Sequence, residues 1–455
     1  MFFHFHLGIE GLLPWALYIG MFAAFAASVF WQPTAGLYVL VFALPMQTGR
    51  YKIHDFFLGS QFIDLLLLGA CLGLMVKGKN VFPSAPIGKY LLIYSVFLYL
   101  LLWEGPIFAS VPLPLWISDA RFSDWKNYVE LFLLAMVIAS TFTSKRQVQL
   151  LIITMCLSTL VVNRNYYTLM SARNLAQYSD DVRDAGLLGY AGVNGFAAFE
   201  AMFCSFLLGL LVCTKNLLAR IGIIFLLVSG LYCLLFSFSR GAYIGLLFGM
   251  IAVGFLKSRK FLVVAVLLLC GWQLVLPSSV QQRINMTTGD ASSGQHFDSS
   301  SEERIALWTD AFELIKRNPL TGTGFQTYQY MNRVGPYRDT HNYYVKVLVE
   351  TGAVGIVLYL LLLAKLYNTG SSLSSSTEDP FWLSISIAFR ASLVCAIAVN
   401  LFGDRWTYQQ VDGFLWVGLG CVLAGLQATA TANSTAIEDG EMAAEMQQEC
   451  EALPA

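Results

Sequence analysis

Residues 341–365 read HNYYVKVLVETGAVGIVLYLLLLAK. A histidine opens the stretch, and two residues later the chain becomes an apolar run. Such a run suits a helix that crosses a bilayer, which takes about 20 apolar residues for a hydrocarbon core of about 30 Å. Upstream, from Pro277 to Asn342, the chain is polar. Before that it is apolar again. The histidine therefore stands where a polar interruption re-enters a membrane-spanning helix, a place suited to chemistry on a substrate that is half lipid and half polar.

Composition carries this reading over the whole chain. Of 455 residues, 56% are hydrophobic and only 13% charged, against about a quarter charged in a soluble protein. The mean hydropathy is +0.61. Candidate spans fall near 11–30, 34–46, 61–76, 88–103, 125–142, 147–163, 194–213, 217–236, 240–256, 261–276, 343–365, 381–402 and 411–427. The second is short enough to be a half-span. The expected fold is an all-α polytopic membrane protein with about 12–13 transmembrane helices. One large extracytoplasmic loop, 277–342, should hold a short amphipathic helix. The first span lacks the basic n-region and small-residue cleavage site of a cleaved signal peptide.

Lysine and arginine set the orientation. The short connections 77–89, 143–147, 214–220 and 257–260 are basic and alternate correctly to share one face, expected to be cytoplasmic. The loop 277–342 then faces outward. After Gln427 the chain carries Glu438, Asp439, Glu441, Glu445, Glu449 and Glu451 with no Lys or Arg, so a formal charge of −1 conceals a basic membrane body. Residues 1–428 read as the integral membrane domain and 429–455 as an acidic, disordered cytoplasmic tail. The nine cysteines form no CxxC pair and none lies in the large loop, which suggests neither a disulfide framework nor a zinc site. Gly322-Thr323-Gly324 lacks the Lys and Ser/Thr of a phosphate-binding loop, so nucleotide chemistry is not indicated. No metal, cofactor or nucleic acid is expected.

His341 follows Asp339-Thr340, with Thr340 as the expected N-cap of the next helix. A helix N-terminus disfavours protonated imidazole, and a neutral imidazole can accept a proton from an attacking hydroxyl. The same pattern also suits an interfacial polar residue with no chemical role. Arg183, Arg240 and Arg304 lie on the expected outer side, where positive-inside sorting does not account for them. Guanidinium groups suit a diphosphate through charge-assisted, often bidentate, hydrogen bonds. Singly, each is as well read as a headgroup-facing arginine. Arg304 precedes Trp308 by one turn on an expected helix Ser301–Arg317, with Ile305, Trp308, Phe312 and Ile315 as its apolar stripe. Asp64, Glu130, Glu200, Glu350 and Arg390 fall inside apolar spans, where charges usually face a bundle interior or wet cavity. Pairing of Glu200 with Arg390 is one possibility. Asp404-Arg405-Trp406 stands where it could rim a site. Tyr328, Tyr330 and Tyr337, among amides, suit sugar contact or plain interfacial anchoring.

Arg183, Gly186 and Asn194, then Ser239-Arg240-Gly241, Arg304-x-x-x-Trp308, Asn318-Pro319-x-x-Gly322-x-Gly324, His341-Asn342 and Glu350-x-Gly352 occur in that order. This series resembles the bacterial O-antigen ligase and O-antigen polymerase superfamily over about residues 180–365. Gly192-Val193-Asn194 departs from the family's common Asn-Pro-Asn. The resemblance implies a metal-independent membrane glycosyltransferase of the bacterial cytoplasmic (inner) membrane. Its donor would be an undecaprenyl-pyrophosphate-linked glycan, and its acceptor another glycan, lipid A-core or a protein. In family terms His341 would be the base, and Arg240, Arg304 and Arg183 would hold the pyrophosphate. Asn342, Glu350, Trp308 and Asn194 would support them. Ligase and polymerase remain open, with a lean to the ligase. A transporter of lipid-linked glycans is the rival from another class; it would favour midplane polar groups and internal repeats.

Overall fold

The computed structural model describes residues 12–46, 53–115, 119–286, 299–333 and 339–451. Among them helices dominate and no strand occurs. The protein is an all-α polytopic membrane protein. Nine helical stretches are long and apolar enough to cross a membrane, and they coincide with nine of the thirteen spans expected from sequence. They are Leu13–Phe30, Gly59–Val76, Pro86–Phe108, Lys145–Met170, Gly192–Leu211, Leu217–Phe236, Tyr343–Ser375, Pro380–Phe402 and Gln409–Ala432.

The other four expected spans depart from that standard for separate reasons. Thr34–Ala43 has only 10 residues and Arg240–Leu256 only 17. Ala120–Thr141 carries Arg121, Asp124, Lys126 and Glu130 in its first half. Lys260–Val275 is followed after a 108° bend by Ser278–Asn285, so this pair counts as one broken span at most. The expected 12–13 therefore becomes nine, or ten with the bent pair, among the described residues.

In chain order the helices used below are α1 (Leu13–Phe30), α2 (Thr34–Ala43), α3 (Phe62–Val76), α4 (Pro86–Leu102), α5 (Gly105–Phe108), α6 (Ala120–Thr141), α7 (Lys145–Met170), α8 (Gly192–Leu211) and α9 (Leu217–Phe236). They continue as α10 (Arg240–Leu256), α11 (Lys260–Val275), α12 (Ser278–Asn285), α13 (Ser299–Arg317), α14 (Tyr343–Ser375), α15 (Pro380–Val399) and α16 (Gln409–Glu451). The centre of the bundle is α8 packed on α10 and α15, with α6 on α16. Trp406, Trp416, Tyr128 and Phe199 are fully enclosed there, and Trp406 Nε1 donates to the Tyr128 hydroxyl at 2.6 Å.

α9 runs from Leu217 to Phe236, and α10 returns from Arg240 toward Lys257. The arginine that opens α10 and the basic turns 214–220 and 257–260 therefore belong to opposite ends. Lys145 Nζ meets Asp379 at 2.6 Å, tying the α6–α7 turn to the α14–α15 turn.

Two sequence expectations change here. The tail read as disordered is helical: α16 continues to Glu451 without a break at 428. Ala, Glu, Gln and Met are good helix formers, and extension of an existing helix avoids the cost of nucleation. Glu200 and Arg390 do not pair. Arg390 donates to Ser374 Oγ and Ser386 Oγ, each at 3.1 Å, and lies over the Tyr367 ring. Glu200 is wholly buried, and with the Asn163 amide in its satisfied orientation that side chain donates to Glu200 at 2.7 Å.

The long helix α14 is broken once. At Gly352 the backbone takes φ 64° and ψ −166°, a conformation open to glycine but strained for residues with a Cβ. The break releases backbone groups on both sides, and the turn 318–324 takes them up. Thr323 N donates to Val349 O at 3.0 Å and Gly324 N to Glu350 O at 2.9 Å; Ala353 N donates to Pro319 O at 2.8 Å. Gly322, at φ 76°, lies so close that a Cβ there would meet the Glu350 carbonyl carbon at 2.5 Å. Non-helical backbone within a span is tolerated where protein buries it, and Glu350, Thr351 and Gly352 are all buried.

Candidate functional site

Arg183 follows the turn Asp180–Val182 and is clasped by two helices. Its Nε donates to the Ser237 carbonyl at 3.1 Å and one terminal nitrogen donates to Asn194 Oδ1 at 2.9 Å. Asn194 Oδ1 also accepts from Ser239 Oγ at 2.9 Å. Ser239 occupies the cap position of α10, but its hydroxyl is engaged by Asn194 and makes no cap bond. The Ser239 carbonyl instead accepts from Ala242 N at 3.1 Å and Tyr243 N at 3.2 Å. Arg240 is its first residue. The chain reaches it through Phe238, a buried non-glycine residue at φ 53°.

These side chains open onto a cavity of about 1190 Å³. Among the described residues its lining includes five arginines, Arg183, Arg240, Arg283, Arg304 and Arg405, and a single carboxylate, Asp180. Below them the wall is apolar: Leu227, Leu231 and Leu234 from α9, Leu246 and Met250 from α10, Val264, Leu268 and Trp272 from α11. On α11 the lining runs from Phe261 to Leu276, roughly 20 Å at 1.5 Å per residue. That is most of a hydrocarbon core. The three arginines singled out in the sequence are thus brought together. Arg405, noted there only as rim, joins them. Arg283 was missed, although it satisfies the same criterion as the others, an arginine placed away from the basic turns.

His341 is not among the described residues lining this cavity. It is linked to it through α13, whose Trp308 Nε1 donates to the Thr340 carbonyl at 2.9 Å, one turn from Arg304. His341 has φ 50°; such a conformation in a non-glycine residue persists where its surroundings over-determine it. Here Asp339 Oδ1 accepts from both the His341 backbone N–H, at 2.5 Å, and its Nδ1, at 2.8 Å. Thr340 Oγ1 donates to the Asn342 carbonyl at 2.7 Å. The helix cap is Asn342, not Thr340: Asn342 Oδ1 accepts from Tyr344 N and Val345 N, and α14 starts at Tyr343. His341 therefore precedes the helix, and its nearest charged neighbour is Asp339. Burial raises the Asp339 carboxyl, but the hydrogen bonds and charge of His341 outweigh this and hold it below the usual carboxylate range. An imidazole with Nδ1–H on a carboxylate presents Nε2 as its basic nitrogen.

Glu350 does not face the cavity. Its two oxygens accept from Gln326 N at 3.0 Å and Tyr328 N at 3.2 Å, so it caps the turn that fills the α14 break. One turn earlier, Lys346 Nζ donates to Asp404 at 2.8 Å and to Gln326 at 3.2 Å. Asp404 also accepts from Trp406 N and Thr407 Oγ1, and so shapes the turn that carries Arg405. Sequence reading did not find this network, because its members are far apart in the chain. Tyr328 is only 4% exposed; its hydroxyl donates to Asp310 and its ring packs with Ala311, Leu314 and Val349. Tyr330 is half-buried, and Tyr337 lies outside the described residues. The packed face of α13 is Leu307, Ala311 and Leu314, while Ile305 and Phe312 of the expected stripe are exposed.

Fold and cavity together define a multi-span helical membrane protein whose cationic pocket continues as an apolar groove. Residues 223–360 match the O-antigen ligase family model, from within α9 to within α14. The match covers less than half of the chain and is a likeness to that family over this segment. The chain is also similar to the exopolysaccharide production protein ExoQ of Rhizobium meliloti (strain 1021), at 29% identity over 173 residues. That similarity covers 33% of this chain and 38% of ExoQ.

Proposed function

We propose that the protein is a membrane glycosyltransferase. It would move a glycan from a polyprenyl-diphosphate carrier to an acceptor hydroxyl at the outer face of the bacterial cytoplasmic membrane. The convergence of Arg183, Arg240 and Arg304 at the mouth of a long apolar groove carries this reading. Guanidinium groups suit the diphosphate, and the groove suits the lipid tail. In the reaction the acceptor oxygen bonds to the anomeric carbon while that carbon's bond to the diphosphate oxygen breaks. His341 Nε2 takes the hydroxyl proton, and the arginines stabilise the charge that develops on the leaving diphosphate. Energy comes from the activated donor. Asn342 and Trp308 hold the His341 segment, Asn194 orients Arg183, and Glu350 supports the turn between them.

The ligase reading takes lipid A-core or a protein as acceptor. Similarity to an exopolysaccharide production protein favours a second reading, in which the acceptor is another glycan and repeat units are joined. Reconstitution with a lipid-diphosphate glycan and candidate acceptors, comparing wild type with His341→Ala, tests both. Capped acceptors indicate ligation and ladders indicate polymerisation. Unchanged turnover by the variant removes His341 as the base.

A further inference from the structure

We propose that the carrier's polyprenyl tail enters the groove sideways from the bilayer, past α11, whose upper stretch 269–276 bows outward at Gly271 to admit it. The inference rests on the transfer reading above and adds the route taken by its lipid substrate. End-on entry would draw each methylene of the tail through water, against the hydrophobic effect. Sideways entry keeps the tail in hydrocarbon and needs only a wall that yields. Among the described residues α8, α9 and α10 each pack on several neighbours, whereas α11 packs on α10 and makes no comparable contact with α9. The yielding side of the groove therefore lies between α9 and α11.

The two halves of α11 differ. In the lower half Ala265 is buried with Met250 and Val253 of α10, and Gly254 lies so close that a Cβ there would meet Leu262 at 2.6 Å. From Val266 to Leu276 no residue is buried, and Leu274 is 92% exposed. Yet Leu268, Leu269, Trp272, Val275 and Leu276 line the groove. This stretch is a strap with the cavity behind it and lipid in front. Both of its ends are held. At the upper end Pro277 has no N–H for the Gln273 carbonyl. Gln281 Nε2 donates instead to Gln273 O and Leu276 O, each at 2.7 Å, and so clamps the 108° corner between α11 and α12. α12 is moored in turn: Val280 is buried with Tyr178 and Phe238, and the Gln282 side chain accepts from Tyr178 N at 3.1 Å. Between these moorings the helix is interrupted at Gly271, with φ −115° and ψ 15°. A Cβ there would meet nothing within 4 Å, so neither crowding nor a positive φ calls for glycine. What glycine supplies is a joint, because it adds backbone freedom to a helix interior. Few buried contacts mark a segment that opens locally.

The test uses the full chain in nanodiscs with two donors that carry the same glycan diphosphate. One has a long polyprenyl tail, the other a tail of two isoprene units, short enough to arrive from water. Gly271→Ala should favour the continuous helix over the bowed one by about fivefold. The kcat/KM for the long-tailed donor should fall by about that factor, while the short-tailed donor is used as before. An equal fall for both donors overturns the proposal, and so does no fall for either. Spin labels read the movement directly, one on Cys270, which is exposed, and one on α9 at the exposed Val228→Cys, with the other cysteines replaced. The long-tailed donor should shift the distance distribution between them, and a distribution that this donor leaves unchanged refutes the bowing. If wild type turns over neither donor, the transfer reading fails by itself. The spin-label distances then decide, since a shift with the long tail and none with the short one supports sideways entry, and any other pattern refutes it.

Discussion

Two groups of charges sit near the same end of the bundle and are built on different terms. Around α14, charge meets its counterpart inside the protein: Lys346 finds Asp404 at 2.8 Å, and Glu350 accepts two backbone N–H groups. In the cavity between α8, α9, α10 and α11, the described lining holds five guanidinium groups and one carboxylate. The first group is closed within the packed protein, whereas the second lines an open cavity. Substitutions should therefore separate them: scaffold variants should lose mainly stability, and cavity and histidine variants mainly turnover.

The largest expected effect is on the rate. His341→Ala should reduce transfer by about 10²–10⁴-fold, the usual contribution of a general base, with only the small fall in thermal midpoint that loss of the Asp339 pair brings. A matching fall in both would make His341 part of the scaffold. Lys346→Met comes next, in the opposite sense. It strands the buried Asp404 carboxylate, which should cost about 3–5 kcal/mol of stability. Adding Asp404→Leu should restore much of that loss, and a failure to do so would break the distinction drawn here. Arg240→Gln should raise the KM for donor about tenfold or more, with little effect on thermal stability.

The smallest effect concerns pH. Asp339 is ionised in the folded protein to below the ordinary carboxylate value of about 3.9. Its pairing with His341 thus contributes stability that is complete above that value and is lost only as pH falls through the depressed one. Over the neutral and mildly acid range Asp339 does not titrate, so an acid limb in the wild-type rate profile there would not come from its carboxyl. Asp339→Asn removes the imidazole's anionic neighbour and should move that limb to lower pH. An unmoved limb would show that the pairing does not govern proton transfer.

Much of this protein could be read from its sequence, and the parts that could not share a cause. Long apolar runs predict spans because each helix satisfies its own backbone and the bilayer demands length. The arginines could be grouped because their placement ran against sorting rules. The face of α13 was misread because Ile305, Phe312 and the larger Trp308 were weighted above Leu307, Ala311 and Leu314. Size does not decide burial where a neighbour approaches closely, and Ala311 is fully enclosed. The break at Gly352 was unreadable for a different reason. Its partner lies some thirty residues upstream, and neither Asn318–Gly324 nor Glu350–Gly352 shows by periodicity that it completes the other.

That junction has a consequence for the segment that leads to His341. Because α14 anchors the turn 318–324 at a fixed height, the stretch that follows it is tethered at both ends, by the turn on one side and by the Asn342 cap on the other. Phe325, Gln326 and Tyr328 of this stretch are buried, and Gln326 N and Tyr328 N bond Glu350 of α14, so exchange there would disturb the span beneath. The fold thereby couples the approach to His341 to the height of α14, so that a shift of either would be felt by the other.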